Sequence, residues 1–149
     1  MTDQDRLANR AWEAMLTAHT RLMRDFEATD VWGDLSMREY DVLYTLSKCP
    51  APVRLRELGE SVLLSQPGLS RLVDRLVQRG LVDRSPDPSD GRSVLVRLTP
   101  AGAARQKAVG RQHARSVAHA MSAVSAEDLA RLHSIATRLV APLDPKEAR

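Results

Sequence analysis

Cysteine and aromatic residues are scarce in this chain, and no long apolar run is present. The one cysteine, Cys49, has no partner for an internal disulfide, which favours a reducing, cytoplasmic compartment. Aromatic residues make up 3% of the sequence, too few for the stacking that single-stranded nucleic acid or RNA requires of a main binding site. No apolar run could span a bilayer, and the first ten residues are too polar for a secretory signal. We therefore expect no membrane partner.

The net charge, the absence of catalytic motifs and the spacing of the histidines limit the classes of function that the sequence allows. The formal net charge is +3, with 22 basic residues against 19 acidic ones, so overall charge favours an anionic partner only mildly. No nucleophile elbow, phosphate-binding loop or dinucleotide fingerprint is present. The four histidines also lack metal-ligand spacing; they are His19, His113, His119 and His133. The sequence predicts a protein that is not an enzyme and uses no cofactor.

The segment from Ser65 to Arg79 predicts an amphipathic helix. Ser65 is a suitable N-cap, and Pro67 would lie in the first turn, where its missing N–H is harmless. At about 100° per residue the helix has one apolar face, Leu69, Leu72, Val73, Leu76 and Val77, and an opposite face of Pro67, Ser70, Arg71, Asp74, Arg75 and Gln78. Gly80 then supplies a left-handed residue at the C-terminus. One face can pack while the other remains free to bind.

A hairpin with a basic tip is predicted directly after this helix. The run from Pro86 to Gly91 is dense in turn-forming residues, and the β-favouring sequence that follows reads Val94-Leu95-Val96. Arg92 lies just past the apex, where the carboxylate of Asp90 could hold its guanidinium extended. Such a probe suits the narrow, electronegative minor groove of DNA. Thr99-Pro100 closes the hairpin and begins another helix.

The order and spacing of these motifs resemble the MarR family of bacterial transcriptional regulators. The similar segments are LRELGESVLLSQPGLSRLVDRLVQRGLVDR and SDGRSVLVRLTPAG; the second has an aspartate, one spacer and an arginine before a strand that ends Leu-Thr. The resemblance covers nearly the whole chain. It implies a winged helix-turn-helix fold, mostly α with a small β-wing. It also implies a ligand-responsive repressor that binds a pseudo-palindromic double-stranded operator as a homodimer.

We expect a single MarR-like domain over residues 1–149, with a DNA-binding lobe at 30–100 flanked by dimerisation helices at 1–29 and 101–149. Within it, Ser36 and Glu39 form a capping box that starts the second helix, and Ser125 caps the last one. The first and last helices carry apolar stripes larger than the small lobe can cover. These stripes predict pairing with a second copy of the chain.

The predicted DNA-binding residues lie on the helix and the hairpin. Backbone N–H groups at a helix N-terminus favour phosphate, and side chains on its exposed face can reach base edges in the major groove. Arg75 is expected on phosphate, a role that the family resemblance also implies for Arg84. Asp74 could accept from a cytosine amino group, but pairing with Arg71 or Arg75 is favoured. The full set is Ser65, Gln66, Pro67, Gly68, Ser70, Arg71, Arg75, Arg84, Asp90 and Arg92.

Two further hypotheses concern regulation. The resemblance implies a small aromatic or phenolic effector bound where the dimerisation helices meet the lobe, and the candidate lining residues are Trp12, His19, Tyr40 and Asp41. The alternative is a regulator that senses oxidants through a reactive thiol. Cys49 lies beside Pro50 at a helix end without an adjacent activating base, so the sequence favours an inert thiol.

Overall fold

The computed structural model describes residues 1–65 and 67–141, and within them the chain is mostly helical with a small antiparallel sheet. The helices are α1 (Asp3–Glu27), α2 (Met37–Ser47), α3 (Leu55–Ser61), α4 (Leu69–Gln78), α5 (Pro100–Ala120) and α6 (Ala126–Val140). The strands are β1 (Val53–Arg54), β2 (Val82–Asp87) and β3 (Asp90–Leu98). The chain divides into two compact units, residues 1–116 and the part that begins at Val117. The predicted fold class is confirmed.

The helix starts follow from local capping chemistry. Ser36 accepts a hydrogen bond from the amide of Glu39, and the Glu39 carboxylate accepts one from the amide of Ser36, so the predicted capping box is present. Ser125 caps α6 by accepting from the amide of Asp128. Thr99 caps α5 through its bond from the amide of Gly102. These three predicted caps are confirmed.

The start of α4 differs from the prediction. Gly68, not Ser65, is the N-cap, and its left-handed backbone (φ +76°) sets the first helical residue at Leu69. The amide of Leu72 bonds to the carbonyl of Gly68, so Pro67 lies in the turn before the helix rather than in its first turn. A left-handed residue cannot sit inside an α-helix, and glycine adopts that conformation without steric cost. The turn into α4 is therefore longer than the sequence suggested, while Gly80 (φ +71°) ends it as predicted.

The wing is a three-stranded antiparallel sheet in the order β1-β3-β2. The pairing of β2 with β3 runs from Val82 opposite Leu98 to Asp87 opposite Asp90, so the connecting turn is short. The two-residue strand β1 was not predicted, because a strand of that length carries no periodic signal. It pairs Val53 with Val96 at the far side of β3.

The core of the lobe joins α2, α3, α4 and the sheet. Its fully buried side chains are aliphatic: Val42, Leu43, Leu58, Val73, Leu76, Val82 and Val96. The apolar face predicted for α4 supplies Leu72, Val73 and Leu76 to this core. Because the apolar face of α4 is packed in this core, the polar face of the helix points toward solvent.

Glycine permits a close approach at the start of α5. The amide of Thr99 donates to the carbonyl of Leu81, and its hydroxyl donates to the carbonyl of Gly80. Gly102 is buried against the same turn: a Cβ there would overlap the carbonyl oxygen of Leu81 and lie 2.8 Å from Leu98 Cδ1. The Thr-Pro-Ala-Gly segment therefore fastens α5 directly to the end of α4.

Large apolar side chains remain exposed on the first and last helices of the single chain. On α1 they are Leu7, Trp12, Met15 and Leu16, and on α6 they are Leu132, Ile135, Leu139 and Val140. Neither helix has a buried residue. Patches of this kind mark interaction surfaces in proteins that fold in water. In the part of the chain that the structure describes, no helix is long and apolar enough to cross a membrane.

Candidate DNA-binding surface

The exposed face of α4 carries Ser70 and Arg71 near its N-terminus. Both side chains are exposed, and among residues 1–65 and 67–141 no carboxylate forms an ion pair with Arg71. Because its five N–H donors are not committed to an acid, this guanidinium is open to an anionic or base-edge acceptor. Pro67 and Gly68 are exposed in the preceding turn, as is Ser65, whereas Gln66 lies outside the described residues.

Two more arginines of this region are anchored by Glu39 in the first turn of α2 and by Asp34 just before that helix. Arg75 Nε lies 3.6 Å from Glu39 Oε1, and Arg79 Nη1 lies 3.6 Å from Glu39 Oε2. Arg79 also donates to Asp34 at 2.7 Å, and Asp34 in turn pairs with Arg105 on α5. Glu39 thus caps α2 and anchors the C-terminal half of α4. Side-chain burial of Glu39, about 10% exposed, strengthens these pairs relative to fully solvated ones.

Asp74 pairs with Arg84, which corrects the predicted partner. Pairing was favoured with Arg71 or Arg75, but the Asp74 carboxylate accepts from Arg84 Nη1 across the gap from α4 to β2. The physical reason is geometric: Arg75 is turned toward Glu39, whereas Arg84 extends from the adjacent strand. This ion pair links the middle of α4 to the base of the wing.

The wing turn is braced by a buried carboxylate. Asp87 accepts from the amide of Ser89 at 2.9 Å and from its hydroxyl at 2.7 Å, and Arg54 Nε donates to it at 2.8 Å. These bonds, with Ser89 first, lower the pKa of Asp87 from 3.8 to about 2 because they stabilise the charged form. The turn between β2 and β3 is therefore tied to Arg54 of β1 through Asp87.

Asp90 orders the tip through backbone rather than through the arginine side chain. It accepts from the amide of Arg92 at 3.1 Å and from the hydroxyl of Ser93 at 2.8 Å, and these bonds lower its pKa. The expectation that Asp90 holds the guanidinium of Arg92 is wrong, because the carboxylate is already occupied in the turn. Arg92 is exposed, and no ion pair engages it among the described residues. Arg97, kept out of the predicted site, instead pairs with Asp83 at 3.0 Å.

Acid should weaken the lobe through Asp87, and this gives a first prediction. Its folded-state pKa of about 2 lies below the ordinary 3.8, so its contribution to stability is complete above about pH 4 and is lost as the pH falls toward 2. We expect the free energy of unfolding of the parent to fall over that interval more steeply than that of Asp87→Asn. Denaturant titrations at closely spaced pH values measure the difference.

The control for this titration is Asp83→Asn, because Asp83 is an exposed carboxylate of the same strand that pairs with Arg97. It should keep the acid dependence of the parent. Equal slopes for the parent and Asp87→Asn would show that the bonds to Ser89 and Arg54 do not stabilise the folded chain.

The four candidate effector residues fall into two environments. Trp12 and His19 are exposed on α1, whereas Tyr40 and Asp41 are buried on α2. Asp41 accepts from the amides of Leu63 and Leu64 at 3.2 and 2.8 Å, so it orders the turn between α3 and α4. In the single chain Tyr40 has no ring contact with Trp12 among the residues described.

An aromatic cluster around His113 was not predicted. The imidazole of this α5 residue lies 5.2 Å from Phe26, 4.8 Å from Trp32 and 5.8 Å from Tyr40, measured between ring centroids. Burial lowers its pKa, which favours the neutral ring. The cluster joins α1, α2 and α5, and only the tertiary fold brings these residues together. The spacing of the histidines in the sequence bears only on metal binding and gives no sign of an aromatic cluster. In the described part of the chain no group of side chains could hold a metal ion.

Cys49 lies two residues after the end of α2 and is partly buried. Its Sγ donates to the carbonyl of Thr45 at 3.4 Å. In the described residues no basic side chain bonds to it, and this environment does not activate a thiol. The redox alternative gains no support from this geometry.

Comparison with known proteins agrees with the winged-helix fold. A sequence model of the MarR family matches residues 33–93, which contain α2 to α4 and most of the wing. A mutant MarR from Escherichia coli, solved in complex with operator DNA, superposes with a TM-score of 0.73 at 25% identity over 93% of this chain and 99% of that one. Over these residues the chain is similar to the MarR family. The matched relatives are transcriptional regulators, which agrees with the prediction that this chain is not an enzyme.

Two other relatives show how far the likeness extends. The multiple antibiotic resistance protein MarR of Escherichia coli strain K12 is 39% identical over 71 residues, which are 48% of this chain and 49% of that protein. The chain thus spans about half the length of this curated MarR relative. The PcaV regulator of Streptomyces coelicolor, solved with its natural ligand, has a TM-score of 0.65 at 29% identity over 93% of this chain and 92% of PcaV.

Proposed function

We propose that this protein is a MarR-family repressor that binds a pseudo-palindromic double-stranded operator as a homodimer. The observation that carries the proposal is the pair of uncommitted guanidinium groups on the two elements that a winged helix presents to DNA. Arg71 on α4 and Arg92 on the wing lack an acid partner in the described chain, whereas Arg75, Arg79, Arg84 and Arg97 each have one. A helix suits the major groove and a projecting arginine suits the adjacent minor groove.

The predicted site divides by role. Ser70 and Arg71 are proposed on base edges with Gln66 and Pro67, because the N-terminal part of a recognition helix enters the groove most deeply. Backbone around Ser65 and Gly68 is proposed on phosphate. Arg75 and Arg84 are proposed on phosphates as well: each ion pair uses part of a five-donor guanidinium, so N–H groups remain for DNA. Asp90 supports Arg92 through its backbone amide.

The exposed apolar faces of α1 and α6 support a homodimer. Leu132, Ile135 and Leu139 are spaced three and four apart on α6 and are each at least 47% exposed in the single chain. A two-fold dimer would cover equivalent faces with each other and place two α4 helices on two half-sites.

An aromatic or phenolic effector is proposed by analogy with relatives. PcaV was solved in complex with its natural ligand, and its structural match covers 93% of this chain. Tyr40 and Asp41 lie where α2 meets the rest of the lobe, while Trp12 and His19 lie on α1. Titrating phenolic acids against the preformed operator complex would reveal release if these residues bind an effector.

Selection from random double-stranded DNA tests the main proposal directly. We expect enrichment of an inverted repeat with half-sites about one helical turn apart. A population that stays random after repeated selection at physiological salt would overturn the assignment of an operator-binding protein.

Removing the wing arginine should weaken the complex with the selected operator. Arg92→Ala is expected to cost about 1–3 kcal/mol of binding free energy, because a cation leaves the minor groove. Fluorescence anisotropy at matched salt measures the loss, and thermal unfolding should be unchanged because Arg92 is exposed. The matched control is Arg97→Ala, whose guanidinium is engaged by Asp83. Unaltered affinity of Arg92→Ala would remove the wing tip from the interface.

A further inference from the structure

Asp74 places a negatively charged carboxylate on the surface that is proposed to bind negatively charged DNA. It is the single carboxylate within α4 and shares the exposed face with Ser70 and Arg71. Its side chain is 49% exposed, unlike the anchoring Glu39, which is 10% exposed on another helix. A carboxylate facing DNA is repelled by the phosphates and by acceptor groups on bases, so it weakens binding unless a donor meets it.

The ion pair with Arg84 uses one side of this carboxylate. Arg84 Nη1 donates to Oδ1, and no hydrogen bond in the described chain engages Oδ2. Arg84 offsets the charge and fixes the direction of the group from the neighbouring strand. An oriented carboxylate with one open oxygen is a selective acceptor, because each oxygen can take further hydrogen bonds from N–H groups.

We propose that Asp74 is a specificity-determining residue whose Oδ2 accepts a hydrogen bond from an exocyclic amino group in the major groove. Cytosine N4 and adenine N6 present such a donor there, whereas guanine O6 and N7 and thymine O4 are acceptors that would face the carboxylate with no hydrogen. Asp74 therefore favours one class of base at one position of each half-site and rejects the other class by repulsion. Arg84 is the positioning residue for this contact.

This inference rests on the proposed function and deepens it. The experiment compares the parent, Asp74→Ala and Asp74→Asn by selection from random DNA, followed by affinities for the parent operator with every single base-pair change. For the parent we expect one position per half-site where replacing the amino base lowers affinity by at least about fivefold. Whether cytosine or adenine is selected there identifies the donor.

The variants should lose this discrimination without losing DNA binding. In Asp74→Ala the preference at that position should fall below about twofold, and log affinity should depend more steeply on log salt by about one unit, because the DNA-facing surface gains one net positive charge when the carboxylate is removed. Asp74→Asn keeps the shape but adds an amide donor, so bases with acceptors should become tolerated. The control Asp83→Asn removes the same charge from the wing and should leave every base preference intact.

The possible failures are distinguishable. If the parent selects no sequence, the proposed function itself fails. If the parent selects an operator and Asp74→Ala keeps every base preference while binding all sequences more weakly, Asp74 acts only as a support for Arg84, and the inference is overturned while the proposed function stands.

Discussion

Replacing Gly102 by alanine is expected to lower the free energy of unfolding by about 3 kcal/mol, the upper end of the usual cost of overpacking. The added Cβ would overlap the carbonyl oxygen of Leu81 and lie 2.9 Å from its carbonyl carbon. That carbonyl also accepts the amide of Thr99, so it cannot move away without breaking a hydrogen bond. Thermal unfolding should show a fall in Tm of roughly 6–12 °C.

Gly91→Ala is the matched control, because a Cβ at Gly91 meets nothing within 4 Å. It should change stability by less than about 0.5 kcal/mol. If Gly102→Ala had the same Tm as Gly91→Ala, the contact between the start of α5 and Leu81 would have to be looser than the structure describes.

The second large effect is expected from Ile135→Asp on α6. Each copy would bury an unpaired carboxylate in the proposed dimer interface, at about 3–5 kcal/mol per charge. The single chain should tolerate the change because Ile135 is 47% exposed there. Light scattering at micromolar concentration should show a monomer, and operator binding should fail with the dimer because one lobe covers half of a two-fold site.

Ser134→Asp serves as its control, since Ser134 is exposed on α6 but lies away from the apolar face. It should remain dimeric and bind the operator. A variant Ile135→Asp with the mass and affinity of the parent would place the dimer interface elsewhere, and a monomeric parent that binds a full palindrome would refute the homodimer.

The helices and the wing could be predicted because their signals are local. The caps at Ser36, Thr99 and Ser125 act within three residues of themselves, and the apolar face of α4 repeats with the helical period. Ser65 shows the limit of such signals. Its hydroxyl is a suitable cap, yet the left-handed conformation of Gly68 decides where the helix begins.

The charge pairs of the site could not be predicted, because they join residues far apart in sequence. Arg84 reaches Asp74, Arg54 reaches Asp87, and Arg105 reaches Asp34 only after the sheet and helices have packed. Sequence position could place arginines on an exposed face but could not say which were already neutralised. The distinction between Arg71 and Arg75 is thus a product of tertiary structure.

The contacts at Leu81 couple the orientation of α5 to the position of the wing tip. Because Thr99 and Gly102 pack α5 closely against the residue that precedes β2, we expect a tilt of α5 to be transmitted to the strand. The six residues of β2 extend about 20 Å from Leu81 toward the wing tip. A rotation of about 10° would carry the tip about 3.5 Å, slightly more than the length of a hydrogen bond. A small reorientation of α5 would therefore displace Arg92 by about the length of the DNA contact that we propose for it.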